Sequence, residues 1–312
     1  MAMGARMPSV RAAEGKSRAK PLVVVVSCKK VLTHGYDADP GALRAMIEAG
    51  LCRLSGRKDL PSALSAFLRS TDRVGYKING LAGRNAATHV ELVDVLAGVA
   101  RQTGIDPRKQ IAFDRLASDL SGSKFGVANK DAYHCMGNDE FGHEQDLEQM
   151  PSSASRLALT LTRRVDAVVN IPILKQHMLA GMTGALKNNF GCIHNPNKMH
   201  LSGCDPYVAE VNAIPVIREK QKLIVMDALR PIVHGGPSYN AAMAVPAHTL
   251  LFATDPVAID TVALGILEQL RVRRGLPPLA KIDLFPRYLS TASAMGLGVS
   301  ETSKIEIVTL EV

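Results

Sequence analysis

The sequence predicts an α/β fold, a mostly parallel sheet flanked by helices. Two patterns carry that expectation: short runs rich in β-branched residues alternate with longer helical segments, and the helical segments open on recognisable start signals. In chain order the strand candidates are 22–28 (LVVVVSC), 73–78 (RVGYKI), 110–114 (QIAFD), 165–171 (VDAVVNI), 222–227 (KLIVMD), 249–253 (TLLFA) and 304–310 (KIEIVTL). Asp39-Pro40 pairs an N-cap with a proline at the first helical position and opens a helix through Leu54. Thr88, followed three residues later by Glu91, has the form of a capping box before LVDVLAGVARQ, with Gly104 as its stop. Asp255-Pro256 repeats the first signal ahead of VAIDTVALGILEQL. The region 115–150 is rich in Gly, Asp, Glu and His without clear periodicity, and is expected to be an irregular excursion over the sheet, a kind of connection that often serves as a lid.

With 312 residues and 46% hydrophobic content the chain has ample material for a core. The expectation is a single α/β domain over 21–312 behind a disordered basic tail, 1–20. Arg6, Arg11, Lys16, Arg18 and Lys20 against Glu14 place half of the net charge of +8 in that tail. The remainder is only modestly basic. Aromatic residues make up 4% with no Trp, and no basic helix offers base-reading side chains, so nucleic acid is not an expected partner. Five scattered cysteines with no CxxC argue against a disulfide framework and point to a reducing compartment, the cytoplasm. The apolar run Leu22 to Val26 is shorter than the ~7–15 residues of a signal h-region. VVSC ending at Cys28 faintly resembles a lipoprotein processing site, but a buried strand is the expected reading. No apolar stretch approaches the ~20 residues of a membrane span.

In open α/β sheets, ligands gather at the carboxyl ends of the strands. Asn79, Asp114, Lys175, His177, Asp227 and Asp255 all fall at or after such ends. Asp and Asn there are also ordinary turn and cap residues, a reading that fits Asp114 and Asp255 best. The segment IPILKQHMLAGMTGALKNNFG, 171–191, sets Lys175, His177, Thr183, Lys187, Asn188 and Asn189 among small and apolar residues. A buried lysine without an acidic neighbour costs free energy unless it meets an anion or loses its proton. The alternative is that these lysines reach solvent or pair with Asp227 or Asp260. A helix beginning near Gly181 or Met182 would put Thr183 and Lys187 on one face beside its positive N-terminus. Neither a Walker A loop nor a GxGxxG follows a strand, so nucleoside triphosphates and dinucleotides lose their usual signal.

These residues point to a small anionic ligand, a carboxylate or phosphate. Lys187 and Asn188 would grip it with Lys175, His177 would serve as acid/base, and Asp227 would orient His177. Cys192, His194, His200 and Cys204 in CIHNPNKMHLSGC are metal-ligand types, though their spacing matches no finger or cluster motif. His177, His200 and Asp227 form a second candidate set, for iron or zinc.

YKING at 76–80, VVNIPILKQH at 168–177, GMTGALKNNFG at 181–191, His200, LIVMDAL at 223–229 and TDPVAIDTVALGIL at 254–267 together resemble the prokaryotic family catalogued as domain of unknown function 362, over roughly residues 70–300. The resemblance implies an α/β domain without an established general activity. It carries over Lys77, Asn79, Lys175, His177, Thr183, Lys187, Asn188, His200, Asp227 and Asp260, which adds Lys77 and Asp260 to the ligand-binding candidates. Cys192, His194 and Cys204 fall outside the pattern. Many relatives look redox-associated through an appended ferredoxin-like module, whose CxxCxxCxxxCP motifs this sequence lacks, so no iron–sulfur cluster is expected. The leading expectation is an anion-binding protein with acid/base or redox chemistry. The alternative is a non-catalytic metal-binding or accessory protein working beside a redox partner.

Overall fold

Side-chain alternation along the strands explains why this sheet sits between two layers. In the stretch 221–232, Ile224, Met226 and Ala228 pack into one hydrophobic cluster while Leu223, Val225 and Leu229 pack into another. A strand apolar on both faces must be covered on both, which is the usual condition of parallel sheets. The structure, a computed structural model, describes residues 20–33 and 35–312. The basic tail expected over 1–20 therefore lies outside the described residues except for Lys20.

The strands are β1 (Leu22–Ser27), β2 (Val74–Lys77), β3 (Gln110–Asp114), β4 (Ala128–Asn129), β5 (His134–Gly137), β6 (Glu148–Met150), β7 (Ser153–Ser155), β8 (Ala167–Asn170), β9 (Ile173–His177), β10 (Gly181–Thr183), β11 (Gln221–Ile232), β12 (Thr249–Ala253) and β13 (Glu306–Glu311). The helices are α1 (Pro40–Ser55), α2 (Leu60–Leu64), α3 (Val90–Gln102), α4 (Ala117–Ser121), α5 (Ala185–Asn188), α6 (Tyr207–Ala213), α7 (Pro215–Lys220), α8 (Pro256–Arg273) and α9 (Tyr288–Ala294). Apart from the β6–β7 hairpin, the strands form one 11-stranded sheet whose main path runs β13-β1-β12-β11-β8-β2-β3-β5-β4. Its centre, β11-β8-β2-β3-β5, is parallel throughout, and β12 runs antiparallel to both β1 and β11. Each of the seven predicted stretches contains a strand. Cys28 lies buried at the end of β1, with its backbone N–H donating to His248 O. No helix of the described residues is long and apolar enough to cross a membrane.

Both Asp-Pro signals open helices. Asp39 accepts from Ala42 N, and Asp255 accepts from Val257 N and Ala258 N. The capping box at Thr88 does not form. Helix α3 starts one residue later, behind His89, while Thr88 Oγ1 donates to Ile171 O and accepts from Asn79 N. The expected excursion is partly sheet, because β5 pairs in parallel with β3. The largest departure is at 171–191. The predicted helix start at Gly181 is instead β10, antiparallel to β9, and helix is confined to the single turn α5 and the 3-10 turn Asn189–Cys192 that follows it. Gly181 has φ +77°, and a Cβ there would run into Leu284 O, so glycine is needed at this corner.

Asp255 also accepts from Val299 N, and so ties the start of α8 to the segment leading into β13. Asp255→Ala is expected to cost about 1–2 kcal/mol, seen as a lower urea midpoint with an unchanged slope.

Candidate functional site

Strand β11 is long enough to hold two partners in succession. Its first half pairs with β8, and past Asp227 it pairs with β9, the chain breaking step at Ile171 and Pro172 between them. The β9–β10 hairpin thus stands beyond the carboxyl end of β2 and forms a wall there. Period-two alternation puts Lys175 and His177 on one face of β9. The register sets Thr183 opposite Lys175 and Gly181 opposite His177. With α5 and the turn at 196–200, this wall encloses a cavity of about 400 Å³. Asn79, Asp114, Lys175, His177, Thr183, Lys187, Asn188 and His200 line it, together with Arg115, Asp119 and an apolar set of Leu81, Met178, Leu179, Phe190, Pro196 and Pro237.

The floor is a buried ion pair. Lys77 Nζ donates to Asp114 Oδ1 at 2.8 Å, to Ile78 O at 2.6 Å and to Asn188 Oδ1 at 3.3 Å. Asp114 Oδ2 accepts from Gly80 N at 2.7 Å. Lys77 therefore has no proton left for a ligand, and it orients Asn188 instead. Lys175 is 1% exposed and donates to Asn79 Oδ1, Leu81 O and Ala86 O at 3.0, 3.3 and 3.1 Å. Burial pulls its ammonium down to about 7, while the three oxygens favour the charged form. Lys187 is 9% exposed, lies over the Phe190 ring, and has Nζ 3.1 Å from His200 Nε2. Burial lowers it to about 8. Neither Lys175 nor Lys187 meets a carboxylate at hydrogen-bonding distance among the described residues.

His177 Nδ1 accepts from Leu179 N at 3.1 Å and Ala180 N at 3.2 Å. The ring proton therefore sits on Nε2. Burial, followed by the charge of Lys187, drives the imidazolium form far down, to about 2. His177 therefore presents a neutral Nε2–H to the cavity, and its Nδ1 is engaged by backbone amides.

The structure brings together Asn79, Lys175, His177, Thr183, Lys187, Asn188 and His200, and leaves out three predicted members. Lys77 lies beneath the cavity. Asp260 is fully buried and accepts from Ala185 N and Leu186 N, so it anchors α5 rather than a ligand. Burial raises its carboxyl to about 7. Asp227 belongs to neither the cavity nor a metal set. On β11 it shares the face of Leu223, Val225 and Leu229, and its Oδ2 accepts from His89 N and meets His89 Nδ1 at 2.7 Å. It therefore cannot orient His177, and His177, His200 and Asp227 do not converge. Among the described residues no three His, Cys, Asp or Glu side chains are placed to hold a metal ion. Cys192 is buried beside Asn189, His194 packs on His143, and Cys204 is buried, so the Cys192, His194, His200 and Cys204 set is dispersed as well.

Sequence reasoning passed over Asp114 as a turn residue and did not single out His89, Phe190 or the Arg115–Asp119 fork, whose bonds are 2.9 and 3.0 Å. The strand alternation that places Lys175 and His177 side by side was available in the sequence. The partner of Asp114, 37 positions away, was not.

Asp114→Ala strands the Lys77 ammonium in the core and is expected to cost about 3–5 kcal/mol in urea unfolding. Adding Lys77→Met should restore much of that loss, because the uncompensated charge goes with it.

No curated protein matches the chain. Among solved structures it is similar to a structural-genomics target protein from Thermotoga maritima, at 9% identity and a TM-score of 0.44. That match covers 78% of this chain and 61% of the other, so the chain spans less than two thirds of that protein's length. The family model described as Domain of unknown function (DUF362) matches residues 81–265, the interval that holds every side chain lining the cavity except Asn79, and the chain belongs to that family.

Proposed function

We propose that the cavity binds a small organic anion, a carboxylate or phosphate with an apolar part. The observation that carries this reading is Lys187, buried and facing the cavity without a carboxylate at hydrogen-bonding distance among the described residues, beside Lys175, whose three donors are engaged and which adds positive charge. An ammonium held this way costs desolvation free energy that a bound anion offsets. The Nε2–H of His177 and the hydroxyl of Thr183 add neutral donors on the same wall. Leu81, Met178, Leu179 and Phe190 suit the uncharged part of such a ligand, and the volume fits a small molecule. All five cysteines are free thiols, which supports residence in the cytoplasm.

Oxalate and inorganic phosphate titrated by calorimetry test this directly. Lys187→Ala is expected to weaken binding about tenfold or more, ~1.4 kcal/mol at least; undiminished affinity would sink the assignment. The pH dependence has a definite sign. Lys187 falls to about 8, so its ammonium is present below that pH and lost above it. Affinity should therefore decline as pH rises through about 8, and Lys187→Ala should flatten that decline.

A further inference from the structure

The two cavity lysines differ in what surrounds the nitrogen. Each of the three N–H positions of Lys175 is matched by an oxygen, from Asn79, Leu81 and Ala86. That shell holds an ammonium and leaves its lone pair no direction in which to act. Among the described residues Lys187 has one hydrogen-bond partner, and it is a nitrogen, His200 Nε2 at 3.1 Å. The other ring nitrogen of His200 lies 3.2 Å from Pro196 O and 3.3 Å from Asn197 O. Carbonyl oxygens only accept, so the ring proton sits on Nδ1 and Nε2 presents its lone pair to Lys187. The bond therefore has a direction, with the amine donating and the imidazole accepting. A neutral base against the N–H of a buried, carboxylate-free amine is the arrangement that activates a lysine nucleophile.

The ring of His177 stacks against that of His200 at a centroid distance of 5.5 Å. Its Nε2–H thus lies on the cavity wall beside the reacting amine, suited to donate to a carboxylate, while the Lys175 ammonium, its three protons already engaged, contributes positive charge.

We propose that Lys187 forms an imine with a small carbonyl compound that carries a carboxylate, a 2-oxo acid being the simplest. This rests on the anion-binding reading and specifies its ligand. One proton of the Lys187 ammonium passes to His200 Nε2. The freed lone pair forms a C–N bond to the carbonyl carbon, and the π electrons move to oxygen, which takes a second proton from the nitrogen. His200 then returns its proton to that hydroxyl, the C–O bond breaks, and water leaves. Ammonium plus ketone gives iminium plus one water, with no oxidant or reductant consumed.

The test treats the full chain with pyruvate and sodium cyanoborohydride, followed by intact mass and peptide mapping, with oxalate calorimetry in parallel. Oxalate offers the same charge without a reactive ketone. The expected result is one adduct of pyruvic acid less one oxygen, on Lys187, lost in Lys187→Arg. Modification spread over surface lysines, or none, together with intact oxalate binding overturns the imine and leaves anion binding standing. Failure of both overturns the two readings together. Site mapping on the unmodified sequence decides the matter even if the variant does not fold.

Discussion

The buried pair of Lys77 and Asp114 is the interaction on which the site depends. It closes the carboxyl ends of β2 and β3 at a buried position on the cavity floor, where a charge is tolerated only if matched. The match is complete. Lys77 spends its three donors on Asp114, Ile78 O and Asn188, and Asp114 also takes Gly80 N. Gly191 is what lets this floor and the α5 segment come together: a Cβ there would lie 2.6 Å from Lys77 Cε and 2.7 Å from Asp114 Oδ1.

From Asn188 the order spreads through neutral amides. Asn188 donates to Lys77 O and Asn170 Oδ1, Asn170 donates to Ala185 O and Gln221 Oε1, and Asn189 donates to Asn212 Oδ1. These bonds tie α5 to β8, and Asn170 and Asn189 carry the network on to β11 and α6, while from the other side Asp260 holds the first amides of the same turn. A single helical turn has little intrinsic stability. Here it is held by side chains from four other elements, and that is how Lys187 comes to a fixed place on the cavity wall.

Asp227 shows how the same residue type serves a different end. Its carboxylate fixes His89 at the start of α3, with burial working against its charge and His89 restoring it. It braces the layer opposite the one that carries α5, so the α3 layer and the cavity layer are each anchored by a buried carboxylate, Asp227 and Asp260. Both aspartates sit where the sequence suggested function. Both act on backbone amides.

The sequence by itself determined the seven strand stretches, the Asp-Pro helix starts, and the clustering of lysines without acidic neighbours at 171–191. These are local signals: β-branched runs, cap chemistry and period-two spacing are written within a few residues of the structure they specify. The tertiary structure decided the rest. Whether 181–183 became helix or strand depended on pairing with β9 and on the backbone at Leu284. Which carboxylate neutralised Lys77, which way Asp227 faced, and which nitrogen of His177 and of His200 kept its proton were settled by partners distant in sequence or by backbone groups that only the fold brings into line. Electrostatic roles in a buried site follow from the third dimension, because desolvation and hydrogen-bond direction are properties of the surroundings and not of the residue.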